Sequence, residues 1–157
     1  MKKVTSLLFL VVLLTSCNNQ ANTGKAKAES LTELTEEVQK TINLSTFQES
    51  EFPDAIDGCA CYFKEKGKES AGYVYVDDFS RTGFIKIGDT FEELEIYEAH
   101  NENGFVKHKC RAEHYGVDME LTEIGHEDET WEYEGTMEIN KIDGSKITLQ
   151  IIGECGC

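Results

Sequence analysis

From Cys59 onward, apolar residues recur at every second position, the period of a strand with one buried and one solvated face. Phe105 to Ala112 shows it most clearly: Val106, His108, Cys110 and Ala112 share one face, Lys107, Lys109 and Arg111 the other. In the next run Val117, Met119 and Leu121 alternate with Asp118 and Glu120, so a hairpin of the two sets a basic row against an acidic row. Each such cross-strand pair contributes roughly 0.2–1 kcal/mol. Trp131, Tyr133, Gly135, Met137 and Ile139 alternate with Glu132, Glu134, Thr136 and Glu138, and Ile147, Leu149 and Ile151 with Thr148 and Gln150. Asn103-Gly104 and Asp143-Gly144 stand between such runs and signal hairpin turns, because these residue types accept positive φ.

The runs predict about eight strands, near 59–64, 72–77, 82–87, 91–99, 105–112, 116–124, 131–141 and 146–152. Connections this short make neighbours antiparallel and the topology a meander. Eight strands suffice to close a small barrel and remove exposed edges, with a two-sheet sandwich as the other solution. Upstream, Ser30-x-x-Glu33 is a capping-box pattern. Leu31, Leu34, Val38 and Ile42 follow at helical spacing, which predicts one short N-terminal helix to about Leu44. The expected fold class is thus mostly β, with residues 31–157 as a single domain.

The chain sets 30 Asp and Glu against 15 Lys and Arg, a formal charge of −15. That excludes a nucleic-acid partner, since phosphate binding needs a basic face. Any protein partner is expected to be basic, with binding that weakens in salt. The oligomeric state is not written in the sequence.

Met1-Lys2-Lys3 followed by the apolar run Leu7 to Leu14 has the build of a signal peptide, and it is too short to span a bilayer. Leu14-Thr15-Ser16-Cys17 resembles the lipobox of bacterial lipoproteins, with Thr15 and Ser16 as tolerated variants. The resemblance implies cleavage after Ser16, a diacylglyceryl thioether on Cys17 and acylation (palmitate) of the new amine. Two or more chains hold a protein stably to a membrane. Residues 18–30 are rich in Asn, Gln, Ala, Gly and Lys, without an aromatic residue, and form a flexible spacer reaching about 20 Å. Asn18 is not the aspartate that retains lipoproteins in the inner membrane. The expected location is therefore the cell envelope, on the periplasmic face of the outer membrane.

Five cysteines remain: Cys59-Ala60-Cys61, Cys155-Gly156-Cys157 and the lone Cys110. Their strand phases point them inward, unless Gly153 interrupts the phase of the last two. In a closed up-and-down sheet the first and last strands are antiparallel neighbours, so both Cys-x-Cys pairs meet at one end. Cys110 belongs toward the other end and is the expected free thiol. Alternate residues of a strand lie about 6.6 Å apart with parallel side chains, which disfavours a bond inside either pair. Bonds between the pairs fit better, and an oxidising periplasm favours them. The alternative is a soft-metal centre, with Zn or Cu held by Cys59, Cys61, Cys155 and Cys157, or a partly reduced state. Otherwise no cofactor is expected.

His108-Lys109-Cys110 puts an imidazole and a thiol on one strand face, either as a nucleophile–base or metal pair or as a core histidine beside a buried cysteine. His126-Glu127-Asp128-Glu129-Thr130 begins like a zinc-protease motif, but Thr130 replaces the second histidine. Asp77-Asp78, Glu92-Glu93-Glu95 and Glu127-Asp128-Glu129 could each attract a cation, but charge runs of this kind read as solvated faces. No nucleophile elbow, P-loop or dinucleotide fingerprint occurs, so an enzymatic role is unsupported. The stretches Gly58-Cys59-Ala60-Cys61-Tyr62-Phe63 and Gly153-Glu154-Cys155-Gly156-Cys157 resemble the two ends of small uncharacterised lipoproteins of flavobacteria and relatives, a likeness that implies no activity. The expected role is a lipid-anchored binding or envelope-associated module with its ends joined by disulfides; soft-metal binding is the alternative.

Overall fold

The computed structural model describes residues 41–157. The expected signal peptide, the expected lipidation site Cys17, the expected spacer and most of the expected helix lie outside the described residues. The strands are β1 (Leu44–Ser45), β2 (Ala60–Glu65), β3 (Tyr73–Asp77), β4 (Thr82–Ile87) and β5 (Thr90–Glu102). They continue with β6 (Phe105–Arg111), β7 (Tyr115–Glu127), β8 (Thr130–Lys141) and β9 (Lys146–Gly156). Two single-turn 3-10 helices, Glu49–Glu51 and Glu69–Ala71, accompany them; no α-helix occurs among the described residues. Where the expected helix enters the described region it is extended instead, and Leu44 pairs with Ile87 on β4.

Strands β2 to β9 form a closed antiparallel meander, each pairing with the next, with β9 returning to β2. The arrangement is a barrel and not a sandwich. The closing seam is continuous from Ala60 opposite Gly156 to Glu65 opposite Ile151. At the other weak point β3 and β4 share only Val76 with Phe84 and Asp77 with Gly83. There β1 takes over the same edge of β4, pairing with Lys86 and Ile87. On β3 the isolated bridge of Phe47 to Tyr73 covers part of the same gap, and pairing of this kind is how a barrel disposes of unpaired backbone groups.

The barrel interior is filled by the alternate residues that the sequence marked: Met119, Leu121, Met137, Ile139 and Ile151 are fully buried. A second, external cluster surrounds Phe47, Val76 and Phe84. Here the segment before β2 straps over the outer face of β2–β4. Phe47 packs on Phe91 with ring centroids 5.0 Å apart, and Phe52 on Tyr73 at 5.2 Å. Such edge-to-face pairs add about 0.5–1.5 kcal/mol each beyond their buried area.

Asn103 and Gly104 both take positive φ (54° and 76°), as a two-residue hairpin turn requires. At the other site only Gly144 does so, at 88°. Lys141 O accepts from Gly144 N–H, and Ser145 O accepts from Lys141 N–H, both at 2.9 Å. This is a three-residue loop with a bulge at its glycine, not the tight turn that Asp143-Gly144 suggested. The basic row of β6 is matched as expected, though by both neighbours: Lys107 meets Glu120 on β7, while Lys109 and Arg111 reach Glu98 and Glu95 on β5.

Gly153 does not interrupt the strand phase. It sits inward between Ile151 and Cys155, opposite Phe63 and Tyr133. A Cβ there would lie 2.0 Å from Tyr62 O and 2.7 Å from a Phe63 ring carbon. The Phe63 ring takes the room that a side chain would need. Gly153→Ala is therefore expected to destabilise the barrel by about 3 kcal/mol, measured by denaturant unfolding. A loss within experimental error would mean that the seam has slack.

Candidate functional site

Cys61 and Cys155 are register partners on the closing seam, and Cys59 and Cys157 form the next rung, just outside the strands. Both rungs are disulfides, Cys59 to Cys157 and Cys61 to Cys155, with Cα atoms 4.0 Å apart in each. Cys61 and Cys155 point inward and are buried. Cys59 is half-buried and Cys157 exposed at the rim, so of the five cysteines expected to point inward, Cys61, Cys155 and Cys110 are buried in the core. Paired in this way, the four sulfurs offer no thiolate to a metal. No cluster of three or more potential metal ligands occurs among the described residues.

Cys110 is free and buried. Counted along β7–β9 it faces Val117, Ile139 and Ile147, eight positions from Cys155. The other way round, the stagger of a closed barrel brings it close to Asp77, the register partner of Cys61, so it does not stand at the opposite end. Its Sγ lies 3.8 Å from the Tyr75 hydroxyl. Burial pushes the thiol up to about 12, so it stays protonated and inert. No hydrogen bond joins it to His108 among the described residues. The nucleophile–base pair is not assembled.

The inner disulfide forms part of the wall of a cavity of ≈ 420 Å³ in the barrel mouth. Seven strands and the β3–β4 turn contribute to it. Phe63, Ile96, Val106, Leu121, Trp131 and Tyr133 make the wall largely apolar, with Asn101, Ser80 and Glu123 also present. Eight-stranded barrels have interiors just wide enough to be filled by side chains or to hold one small ligand, and here part of the interior is left open.

Asp77, His108, Glu123 and Tyr133 are the titratable groups that line this space. Asp77 ends β3 and is only 1% exposed. Its Oδ1 accepts from the Phe79 N–H at 2.9 Å, while Oδ2 is buried without a hydrogen-bond partner among the described residues. The Tyr75 hydroxyl and the Cys61 N–H both stand near the carboxyl and pull its pKa down, but neither completes a hydrogen bond to Oδ2. Asp78 builds the adjoining turn: its Oδ1 accepts from the N–H groups of Ser80, Arg81 and Thr82 at 2.8–2.9 Å. Phe79 between them is held at φ 53°, a left-handed conformation unusual for a bulky residue. The aspartate pair is thus a turn-builder and a buried carboxyl, not the solvated face expected from the sequence. Burial pushes Asp77 up to about 6, against the Phe79 N–H and, less strongly, the Tyr75 hydroxyl that pull it down.

His108 faces inward from β6, half-buried, with Nδ1 unpartnered among the described residues. Burial lowers its pKa, which keeps the imidazole neutral. His126 stands elsewhere, in the β7–β8 hairpin: it stacks on Trp131 at 4.8 Å, and its Nε2 lies 2.7 Å from Asp128 O. A strand end does not supply the helical spacing of a zinc-protease motif.

No protein-family model, curated protein or solved structure matches this chain. What the cavity can bind follows from its walls alone. An apolar pocket with a few convergent polar groups and a perturbed carboxyl is the usual form of a small-molecule site, for which about 300–1,000 Å³ is typical. Sequence patterning found His108 and the cysteines. It placed Asp77 in an acidic run taken as solvated and missed its burial, for which the only local signal was an acid closing the apolar run Tyr73-Val74-Tyr75-Val76.

Proposed function

We propose that this protein is a lipid-anchored binding module of the bacterial envelope, with the mouth of its barrel receiving a small, largely apolar ligand. The lipid on Cys17 would fasten the chain, and residues 18–30 would let the body stand off an anionic membrane that repels its acidic surface. The observation that supports the binding role is the mouth cavity itself, apolar on most sides and carrying a buried carboxyl in its wall. Nothing in that arrangement forms a nucleophile, so binding rather than turnover is the role proposed. The soft-metal reading, Zn or Cu on the same four sulfurs, would require both disulfides to be reduced; bound metal at unit stoichiometry with about four to five free thiols, Cys110 among them, would replace the present reading.

Trp131 is the only tryptophan of the chain and lines the cavity, so the site carries its own reporter. Phenylpropanol, a neutral apolar probe, is expected to change Trp131 emission saturably, with an affinity in the roughly millimolar range suited to so small a molecule. A linear response indistinguishable from free tryptophan would contradict a binding site. For the anchor, Cys17→Ser is expected to abolish incorporation of labelled palmitate. Labelling that persists in that variant would contradict lipidation at this residue.

A further inference from the structure

We propose that the ligand of the mouth cavity is an organic amine, a protonated ammonium on an apolar body, with Asp77 Oδ2 as the acceptor for its N–H. The inference rests on the cavity being a ligand site and adds the chemistry of what enters it. An ionised carboxylate only accepts hydrogen bonds. Asp77 has one oxygen satisfied by the Phe79 N–H and the other left without a donor among the described residues. The missing partner is therefore a donor.

Charge narrows the choice. Asp77 and Glu123 line the cavity, and no lysine or arginine does so among the described residues. The chain as a whole carries −15. An anionic head would meet repulsion with no compensating group. A neutral hydroxyl would satisfy Oδ2 and leave the buried charge uncompensated, whereas an ammonium does both, through a charge-assisted bond about twice as strong as a neutral one. Burial keeps His108 neutral, and its Nδ1 is a further acceptor in the tautomer protonated at Nε2. A bare metal ion is a poor occupant: Ca²⁺ seeks about 6–8 oxygen ligands, and these walls are mostly carbon. The rings of Phe63, Phe79, Trp131 and Tyr133 suit an organic cation instead, since aromatic faces attract positive charge.

The test compares three probes on one scaffold, phenylpropylamine, phenylpropanol and phenylpropanoate, titrated into the full-length protein with Trp131 emission as readout. The amine is expected to bind about tenfold tighter than the alcohol, with the carboxylate weakest. In Asp77→Asn the amine's advantage over the alcohol should fall to within about twofold, the amide lacking the charge. In Glu123→Gln the advantage should persist, and it should survive about 0.5 M salt, because a buried pair is poorly screened. Amine and alcohol binding equally well would overturn the amine assignment and leave the site standing. A preference that vanishes in Glu123→Gln or in salt, yet survives in Asp77→Asn, would assign it to the general acidic field and overturn the role of Asp77. Failure of all three probes to bind would overturn the site as well.

Discussion

Replacing Cys59 and Cys157 together by alanine is expected to cost about 2 kcal/mol, and removing all four bridged cysteines about 7. The disparity follows from nesting. Each bridge alone closes a loop of nearly the same size, with sequence separations of 98 and 94, worth about 4.7 kcal/mol of chain entropy for a loop near 100 residues. Once one bridge is closed, the other adds only a small ring made of residues 59–61 and 155–157, worth about 2 kcal/mol on the same relation. Either rung can therefore be lost with modest effect, and the loss of both is far more than twice as damaging. A total of about 7 kcal/mol is comparable to the entire stability of many domains, so the four-alanine variant should be largely unfolded at physiological temperature. Denaturant unfolding of the outer-rung variant, the inner-rung variant and the four-fold variant checks this. The outer rung is the cleaner test, because Cys61 and Cys155 are buried and alanine there also vacates core volume. Losses that simply add would mean the two bonds do not close nested rings.

Asp77→Asn is expected to stabilise the protein near neutral pH. With its carboxyl pushed up to about 6, Asp77 favours the folded state when protonated. Its contribution is fully present below the unfolded pKa of about 4 and is lost as the pH rises through about 6. Keeping that carboxyl ionised inside the fold costs about 3 kcal/mol, of which an amide N–H placed where Oδ2 stands would return about 1. The net gain should be about 2 kcal/mol near pH 8 and should disappear near pH 4. The groups around Asp77 do not obscure this: Tyr75, Asp78 and Cys110 face it, and all are common to both proteins. His108 has the opposite slope, its lowered pKa costing stability as the pH falls, and it too cancels in the difference. Equal stability of variant and wild type at every pH would show that the Asp77 carboxylate is well solvated, and would remove the reason for assigning it a ligand. A residue kept at the expense of stability is what a binding site predicts.

The strands were legible because half-buried antiparallel strands write their faces into the sequence. The seven connections fall where the turns were expected, and β4 has its expected ends. Strand β9 runs four residues past the expected 152, to Gly156, because Gly153 carries no side chain to continue the alternation. The juxtaposition of the two Cys-x-Cys pairs followed from topology alone: an even number of meandering strands, once closed, brings its first and last together. In β3, by contrast, Tyr73 to Asp77 has no alternation to read. Tyr75 faces the barrel interior while Val76 faces the external cluster under Phe47. With both sides buried, the strand looks uniformly apolar, and the acid that ends it passes for a loop charge. The strap itself was invisible for the same reason: Phe47, Phe52 and Ile56 have no period, and only the tertiary surface they cover gives them meaning.

The closed barrel stands or falls on the connectivity of its sulfurs. Protein isolated from an oxidising compartment, alkylated before and after unfolding, partially reduced and sequenced by mass spectrometry, should give Cys59 bonded to Cys157 and Cys61 to Cys155. Cys110 should take up label only once the barrel is unfolded. Bonds within either Cys-x-Cys pair, or any bridge that includes Cys110, would contradict a barrel whose opening and closing strands are zipped rung against rung.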